Sequence, residues 1–326
     1  MLYINRTSTD PYFNLAAEEY VLKNFSEDCF MLWQNSPCVV VGKHQNTLAE
    51  INYEYIRKKN IPVVRRISGG GTVFHDPGNL NFTFVQNIKD ENLVNFRKFT
   101  APILAVLETM GVHARFEGKN NLTLAGLKFS GNAEHVYKKR TLHHGTLLYS
   151  SRLSELSDAL KVDPHRYTDK AVKSIRSRIT NLQDFMKEKI SISEFKNRIR
   201  DFVLDQYSDT SDYEFTKTDI ENIEELVRSK YAAWEWNFGY SPKYNFRRSI
   251  EHKGGKITFN VDVKEGHIQN VKVSGDLINV ETISDFEKRL TGIPHREKNI
   301  ANKLYDLDVK KYFHNLGEKE VLQGFF

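Results

Sequence analysis

Two short stretches hold most of the residues able to do polar chemistry. The first, Arg65-Arg66-Ile67-Ser68-Gly69-Gly70-Gly71, sets two guanidinium groups beside three consecutive glycines and runs on through Thr72, Val73, Phe74, His75 and Asp76. Glycines lack a Cβ, so backbone amides can approach a ligand closely, and successive amides form a concavity that accepts an anion. A flexible turn between two strands fits the same glycines; the flanking arginines are what point to a phosphate or carboxylate. The second stretch, Leu127-Lys128-Phe129-Ser130-Gly131-Asn132-Ala133, places a lysine between two apolar strand residues, directed away from their face. An isolated lysine is ordinarily a solvated side chain, and the Ser-Gly-Asn that follows sets this one apart.

Other reactive residues point elsewhere. His75 and Asp76 are neighbours on a strand and project to opposite faces, which argues for scaffold rather than an acid-base pair. His143 and His144 diverge in the same way, and no Cys, Asp or Glu stands at metal-ligand spacing from them, so structural roles are expected. No serine lies in Gly-x-Ser-x-Gly, and neither common nucleotide-binding glycine fingerprint is present. Cys29 and Cys38 lack Cys-x-x-Cys spacing; they are expected to pack in the core of a protein kept in a reducing, cytoplasmic setting.

The elements that must position these residues follow from periodicity. Asp10 caps a helix whose first position is Pro11 and whose apolar face is Phe13, Ala17, Tyr20 and Val21. Phe30 to Gln34 and Cys38 to Gly42 read as strands, and a helix is expected from about Ala49 to Lys59. Asn79, Asn81 and Thr83 alternate with Leu80, Phe82 and Phe84, the pattern of a strand with one buried face. A helix over Thr100 to Met110, strands about a turn at Ala125 and Gly126, and a strand at Thr146 to Ser150 come next. Ile175, Ser177 and Ile179 alternate with Ser174, Arg176 and Arg178, so both arginines of an extended segment project the same way. Helices are expected over Ser193 to Tyr207 and Thr218 to Tyr231, whereas Trp234 to Tyr244 shows no helical or strand period. Strands at Lys256 to Val263 and His267 to Val273 then open a second region. Grouped strands with inserted helices predict an α+β fold with a mixed or antiparallel sheet, a larger domain over 1–245 and a small one over 246–326.

At 326 residues, with 40% hydrophobic and 27% charged residues, the composition is that of an ordinary globular chain. No run approaches the roughly 18 apolar residues of a membrane span, and the amino-terminal stretch lacks the pattern of a signal peptide. The net charge of +5 fits an acidic partner, a phosphate-bearing ligand or nothing specific. No nucleic-acid recognition motif is present, and no nucleic-acid or membrane partner is expected.

Taken in order, Gly42-Lys43-His44-Gln45-Asn46, Arg65 to Phe82, Gly118 to Leu124, Leu127 to Ala133, His143 to Leu148 and Ser174 to Leu182 resemble the two-domain bacterial lipoate-protein ligase family. The resemblance implies a catalytic domain like those of biotin protein ligases and class II aminoacyl-tRNA synthetases, with a small α+β accessory domain. It implies ATP-dependent activation of lipoate, or octanoate, to an acyl-AMP with release of pyrophosphate. The acyl group then passes to one lysine of an apo lipoyl domain or apo H protein. It places Arg66 and the backbone from Gly71 through Thr72, Val73 and Phe74 against the adenylate, with Ser68, Gly69 and Gly70 shaping the loop. Asn79, Asn120, Arg176 and Arg178 join the nucleotide site, and Lys128 is the essential lysine. Where the family commonly has Gly-Arg-Asn-Asp, this chain has Gly118-Lys119-Asn120-Asn121, which replaces a carboxylate that could help hold the Mg²⁺ of Mg-ATP.

Three other readings share parts of this pattern. An acyl amidotransferase of the same superfamily would need no ATP, and its cysteine-dependent form needs a thiol near the lysine motif. A biotin ligase should carry a Gly-Arg-Gly-Arg-type loop, absent here. A protein that only binds a lipoyl ligand or lipoyl domain would have no use for the complete Lys128 motif.

Overall fold

In a computed structural model, described for residues 1–88 and 93–326, the chain forms two compact units. One comprises Met1–Lys43, Ile61–Ala159 and Ser174–Ala233; the other comprises His44–Asn60, Leu160–Lys173 and Trp234–Phe326.

Among the described residues, the first unit is built on an eight-stranded mixed sheet. Its order is Ser211–Tyr213, Leu2–Asn5, Cys29–Trp33, Asn79–Asn87, Arg140–Leu148, Leu127–Tyr137, Asn121–Leu124 and Arg115–Glu117. The first three strands pair in parallel and the rest antiparallel. Beside it, Val63–Arg65, Cys38–Val41 and Val73–His75 form a small sheet that brings the two ends of the glycine loop together.

One face of the large sheet carries the apolar core. Leu80, Phe82 and Phe84 pack with Phe99, Ile103 and Val106 of the helix Phe96–Thr109 and with Phe195, Ile199 and Val203 of the helix Ile192–Leu204. Phe30 stacks on Phe84 at 4.7 Å between ring centroids and Tyr149 on Phe195 at 4.4 Å. Each such pair contributes about 1 kcal/mol beyond its buried area.

The opposite face is also covered, and here the period-two expectation of a single buried side gives way. Every residue from Asn79 to Gln86 is buried, because the helix Pro11–Asn24 covers the polar face. Asp10 caps that helix as expected, its carboxylate accepting from Tyr12 N–H at 2.8 Å, a contribution of about 1 kcal/mol. Its expected apolar stripe is incomplete: Phe13 and Tyr20 are half-buried, while Asn14, Glu18 and Glu19 are buried. Buried polar groups must be hydrogen-bonded, so a helix that turns its carboxylates inward reports a polar layer beneath it.

In the second unit, Tyr167–Asp169, Tyr244–His252, Gly255–Lys264 and His267–Gly275 form a four-stranded antiparallel sheet among the described residues. The helix Ile283–Leu290 covers it, with Phe286 and Leu290 fully buried.

Several elements differ from their periodicity. The helix expected from Ala49 to Lys59 breaks in two, Thr47–Glu50 and Tyr53–Lys59, because Asn52 accepts from Tyr55 N–H and starts a new helix. The helix expected from Thr100 starts at Phe96, where Asn95 caps Lys98 N–H at 3.0 Å. Trp234 to Tyr244 is not irregular throughout: Glu235–Gly239 is a widened helical turn, and a second, Val227–Tyr231, ends the helix Lys217–Leu226. Such i to i+5 turns shift the apolar period away from 3.6 and hide it from a pattern search.

Candidate active site

The glycine loop is closed by its own arginine. Arg66, 6% exposed, donates from Nε to Ser68 Oγ at 3.0 Å and from Nη1 to Val40 O at 3.2 Å. Its Nη2 donates to Gly69 O at 2.6 Å and Gly71 O at 2.7 Å. With these carbonyls turned inward onto the guanidinium, Arg66 shapes the loop. Burial lowers its pKa to about 10, against the opposing pull of the Glu18 carboxylate. Arg65 is fully buried and donates to Gly42 O and Lys43 O, both at 3.0 Å.

Two glycines are required by this packing. Gly70 has φ +88°, in the left-handed region that favours glycine. Across from it, a Cβ on Gly42 would sit 2.1 Å from Gly70 O, so only a bare backbone allows that approach. Gly42 opens the Gly-Lys-His-Gln-Asn stretch, and the next residue, Lys43, donates its N–H to Ser68 O at 2.9 Å.

Lys128 lies on the strand Leu127–Tyr137 beside an irregularity in its pairing with Asn121–Leu124. Leu122 pairs with Ser130 and Thr123 with Lys128, so Phe129 is an extra residue on the lysine strand. A bulge of this kind bends the strand and re-aims side chains, which simple alternation around Lys128 could not foresee. The Lys128 side chain lies over Gly131, where an added Cβ would be 3.1 Å from Nζ. Desolvation by burial, and then the Arg66 charge, lower the Lys128 pKa. Positive charges thus gather where an anion would neutralise them.

A third segment joins loop and lysine. Ser174 Oγ accepts from Thr72 N–H at 2.8 Å, and Lys128 N–H donates to Arg178 O at 2.9 Å. Thr180 N–H donates back to Lys128 O at 3.0 Å, with Ile179 as the parallel bridge partner of Lys128. Arg176 and Arg178 themselves are exposed.

The remaining candidates take distinct places. Val73 is half-buried and Phe74 buried at the start of the small-sheet strand after the loop. Asn79 is fully buried; its Nδ2 donates to Asn81 Oδ1 at 3.0 Å, and its Oδ1 has no partner among the described residues. Asn120 is engaged with the lysine strand, its Nδ2 donating to Asn132 O and its carbonyl accepting from Asn132 N–H at 3.0 Å. Asn121 is directly opposite Glu117 in the strand ladder, which puts both side chains on one face.

The adjacent His-Asp pair divides as alternation predicts. Asp76 accepts from Gly78 N–H at 2.8 Å and Arg152 N–H at 2.7 Å and serves the turn. His75 meets Asn35 at 3.0 Å, and burial pushes its pKa down to about 3. His143 is stacked on Phe99 at 5.0 Å and paired with Glu134 at 2.8 Å. Its neighbour does more: His144 faces Ser68 at 2.6 Å and both oxygens of Glu18 at 3.0 Å. Sequence reasoning missed Glu18 entirely. Its signal is Asn14 and Glu18, one helical turn apart and flanking Ala17, polar residues on a surface built for close packing.

Both cysteines are buried, and burial raises each thiol to about 12. Neither has the accessible, low-pKa character of a nucleophile. Among the described residues no three His, Cys, Asp or Glu side chains gather as metal ligands, and no helix is long and apolar enough to cross a membrane.

Known proteins resemble this chain in sequence and fold. The model of the lipoyl protein ligase A/B catalytic domain matches residues 10–203, and that of the bacterial lipoate protein ligase C-terminus matches 241–325. Lipoate--protein ligase 1 of Staphylococcus aureus is 42% identical over 321 residues, 98% of each chain. A structure of lipoate-protein ligase A bound with ATP has a TM-score of 0.63 at 26% identity, covering 73% of this chain and 98% of the other. The bi-partite lipoate protein ligase of Thermoplasma acidophilum, described with its E2 lipoyl domain, has a TM-score of 0.64 at 25% identity over 73% of this chain and 96% of its own. With both family models matched in order around an arginine-held glycine loop and a bulged lysine strand, this chain belongs to the lipoate-protein ligase family.

Proposed function

We propose that this chain activates lipoate with ATP and transfers the acyl group to a lysine of an apo lipoyl domain or apo H protein. The observation that carries this reading is the convergence of the Arg66-held loop, Lys128 and the 174–180 segment on one place. In the first step a lipoate carboxylate oxygen attacks the α-phosphorus of ATP, and pyrophosphate leaves with the electron pair of the broken P–O bond. In the second, the acceptor ε-amine attacks the acyl carbon and AMP departs.

Negative charge develops on the phosphoryl oxygens and departing pyrophosphate in the first step, and on the acyl oxygen and departing AMP in the second. A fixed ammonium at Lys128 stabilises it electrostatically, a contribution of roughly 3 kcal/mol in comparable sites. The backbone from Gly71 through Phe74 cradles the adenylate, with Ser68, Gly69 and Gly70 shaping the loop, and Arg176 and Arg178 approach it from the extended segment. Asn79 Oδ1 offers a buried acceptor to the ligand. Magnesium enters as part of Mg-ATP; the Asn121 amide oxygen with Glu117 opposite gives oxygen donors of the kind it takes. A catalytic domain over 1–245 and an accessory domain over 246–326 accord with the separate family model over 241–325, while the compact unit that holds 246–326 also takes in His44–Asn60 and Leu160–Lys173.

The test uses purified chain, Mg-ATP and an apo acceptor domain, with lipoate, octanoate and biotin in parallel. Pyrophosphate release and one added lipoyl mass on a single acceptor lysine are expected. Acceptor modification from supplied lipoyl-AMP but never from ATP would reduce the assignment to a transferase.

A further inference from the structure

Ser68 Oγ, His144 and Glu18 lie in the order hydroxyl, imidazole, carboxylate, with contacts of 2.6 Å and 3.0 Å. They come from the glycine loop, the strand Arg140–Leu148 and the helix Pro11–Asn24. On the far side, Thr83 Oγ1 donates to Glu18 at 2.6 Å and Trp33 Nε1 donates to Thr83 at 2.9 Å.

Such an order resembles a nucleophilic triad, but two observations oppose that role. Ser68 is 1% exposed, and its oxygen already accepts from Arg66 Nε. A nucleophile needs an open approach and an uncommitted lone pair.

With the imidazole hydrogen at Nδ1, where the Glu18 carboxylate can accept it, Ser68 accepts from Arg66 and gives its own hydrogen to His144 Nε2. His144 then donates from Nδ1 to Glu18, which also accepts from Thr83. Every bond runs towards the carboxylate, and the cation at the start is matched by the anion at the end.

We propose that Glu18, His144 and Ser68 are positioning residues that set the plane of the Arg66 guanidinium and, through it, the conformation of the glycine loop. Fixing Arg66 Nε directs Nη1 to Val40 O and Nη2 to Gly69 O and Gly71 O. Those two loop carbonyls face the guanidinium, which determines how the intervening amides are presented. The consequence for catalysis rests on the ligase reading above.

The experiment compares full-length wild type, Glu18→Gln, His144→Ala, Ser68→Ala and Ser68→Thr, all checked for native melting. Pyrophosphate release should fall about 10- to 100-fold in kcat for His144→Ala and Glu18→Gln, as expected when a reacting geometry shifts by about 1 Å. KM for the acceptor domain should stay unchanged. Ser68→Thr, which keeps the hydroxyl, should retain more activity than Ser68→Ala.

Nitrogen-15 spectra should show His144 carrying hydrogen at Nδ1 and the Arg66 Nε–H signal shifting in His144→Ala. Wild-type kinetics in the His144 and Glu18 variants, or an acyl adduct on Ser68, would overturn the proposal. Should His144→Ala fail to fold, equal rates for Ser68→Thr and Ser68→Ala would overturn it. Wild type that releases no pyrophosphate would remove the ligase reading alone; the relay would then stand or fall on whether the Arg66 signal moves in Glu18→Gln.

Discussion

Lys128 N–H donates to the carbonyl of Arg178 at 2.9 Å, so the candidate catalytic lysine and the arginine segment form one backbone ladder. Neither the lysine strand nor the segment is a free-standing loop at this point. A change in the segment is therefore felt at Lys128 without any side-chain contact.

Lys128→Ala should lower the rate of both half-reactions by about 100- to 1000-fold, the loss typical of removing one preorganised donor. Its melting should stay within about 1 kcal/mol of wild type, since the lost group is a half-buried side chain. Near-normal rates from ATP and from supplied lipoyl-AMP would take Lys128 out of the mechanism.

The depressed Lys128 pKa fixes two opposite pH trends. If the charged lysine is needed, activity falls on the alkaline side at a pH below the ordinary lysine value of 10.5. Between the folded and unfolded pKa values the unfolded chain binds more protons, so this group's contribution to stability rises with pH over the same window. Lys128→Arg should move the alkaline limb upward. A limb unmoved in that variant would assign the titration to another group.

Thiol-blocking reagents should leave the native chain active, because Cys29 and Cys38 are buried with thiols raised to about 12. Cys29→Ser and Cys38→Ser should lose stability, not turnover. An acyl-cysteine adduct found by mass spectrometry would restore the amidotransferase reading.

Asn121→Asp should lower the magnesium concentration needed for half-maximal pyrophosphate release, by about tenfold on the scale of changes around metal ligands. Glu117→Gln should raise it, given the shared face of the two residues. Unchanged magnesium dependence in both variants would place the metal elsewhere.

His75 predicts an acid-side weakness. Its folded pKa of about 3 lies below the ordinary 6.5, so the unfolded chain takes up the proton first and stability falls as pH drops through that interval. The cost reaches on the order of 5 kcal/mol as an upper limit. His75→Gln should flatten the decline in chemical-denaturation curves between pH 6 and about pH 4. An equally steep decline would assign it to other groups.

The glycine loop, the lysine motif and the alternating strand Asn79 to Phe84 were legible because each depends on neighbours in sequence. Asp10 as a cap and Ala125-Gly126 as a turn, with φ of 50° and 76°, likewise obey local backbone rules. The bulge at Phe129 was not legible, since an extra residue exists only relative to a partner strand. Nor was the role of His144, whose partners Ser68 and Glu18 lie 76 and 126 residues away.

By itself the sequence determined which parts were available: a glycine loop flanked by arginines, a lysine set apart by its motif, and an α+β chain of the lipoate ligase type. Tertiary structure decided how those parts are held. It turned Arg66 inward onto its own loop, drew Glu18 and His144 beneath it, and laddered Lys128 to the 178–180 segment. The division has a physical cause: backbone propensity and side-chain period act over a few residues, whereas the satisfaction of buried charges is settled only when distant elements pack.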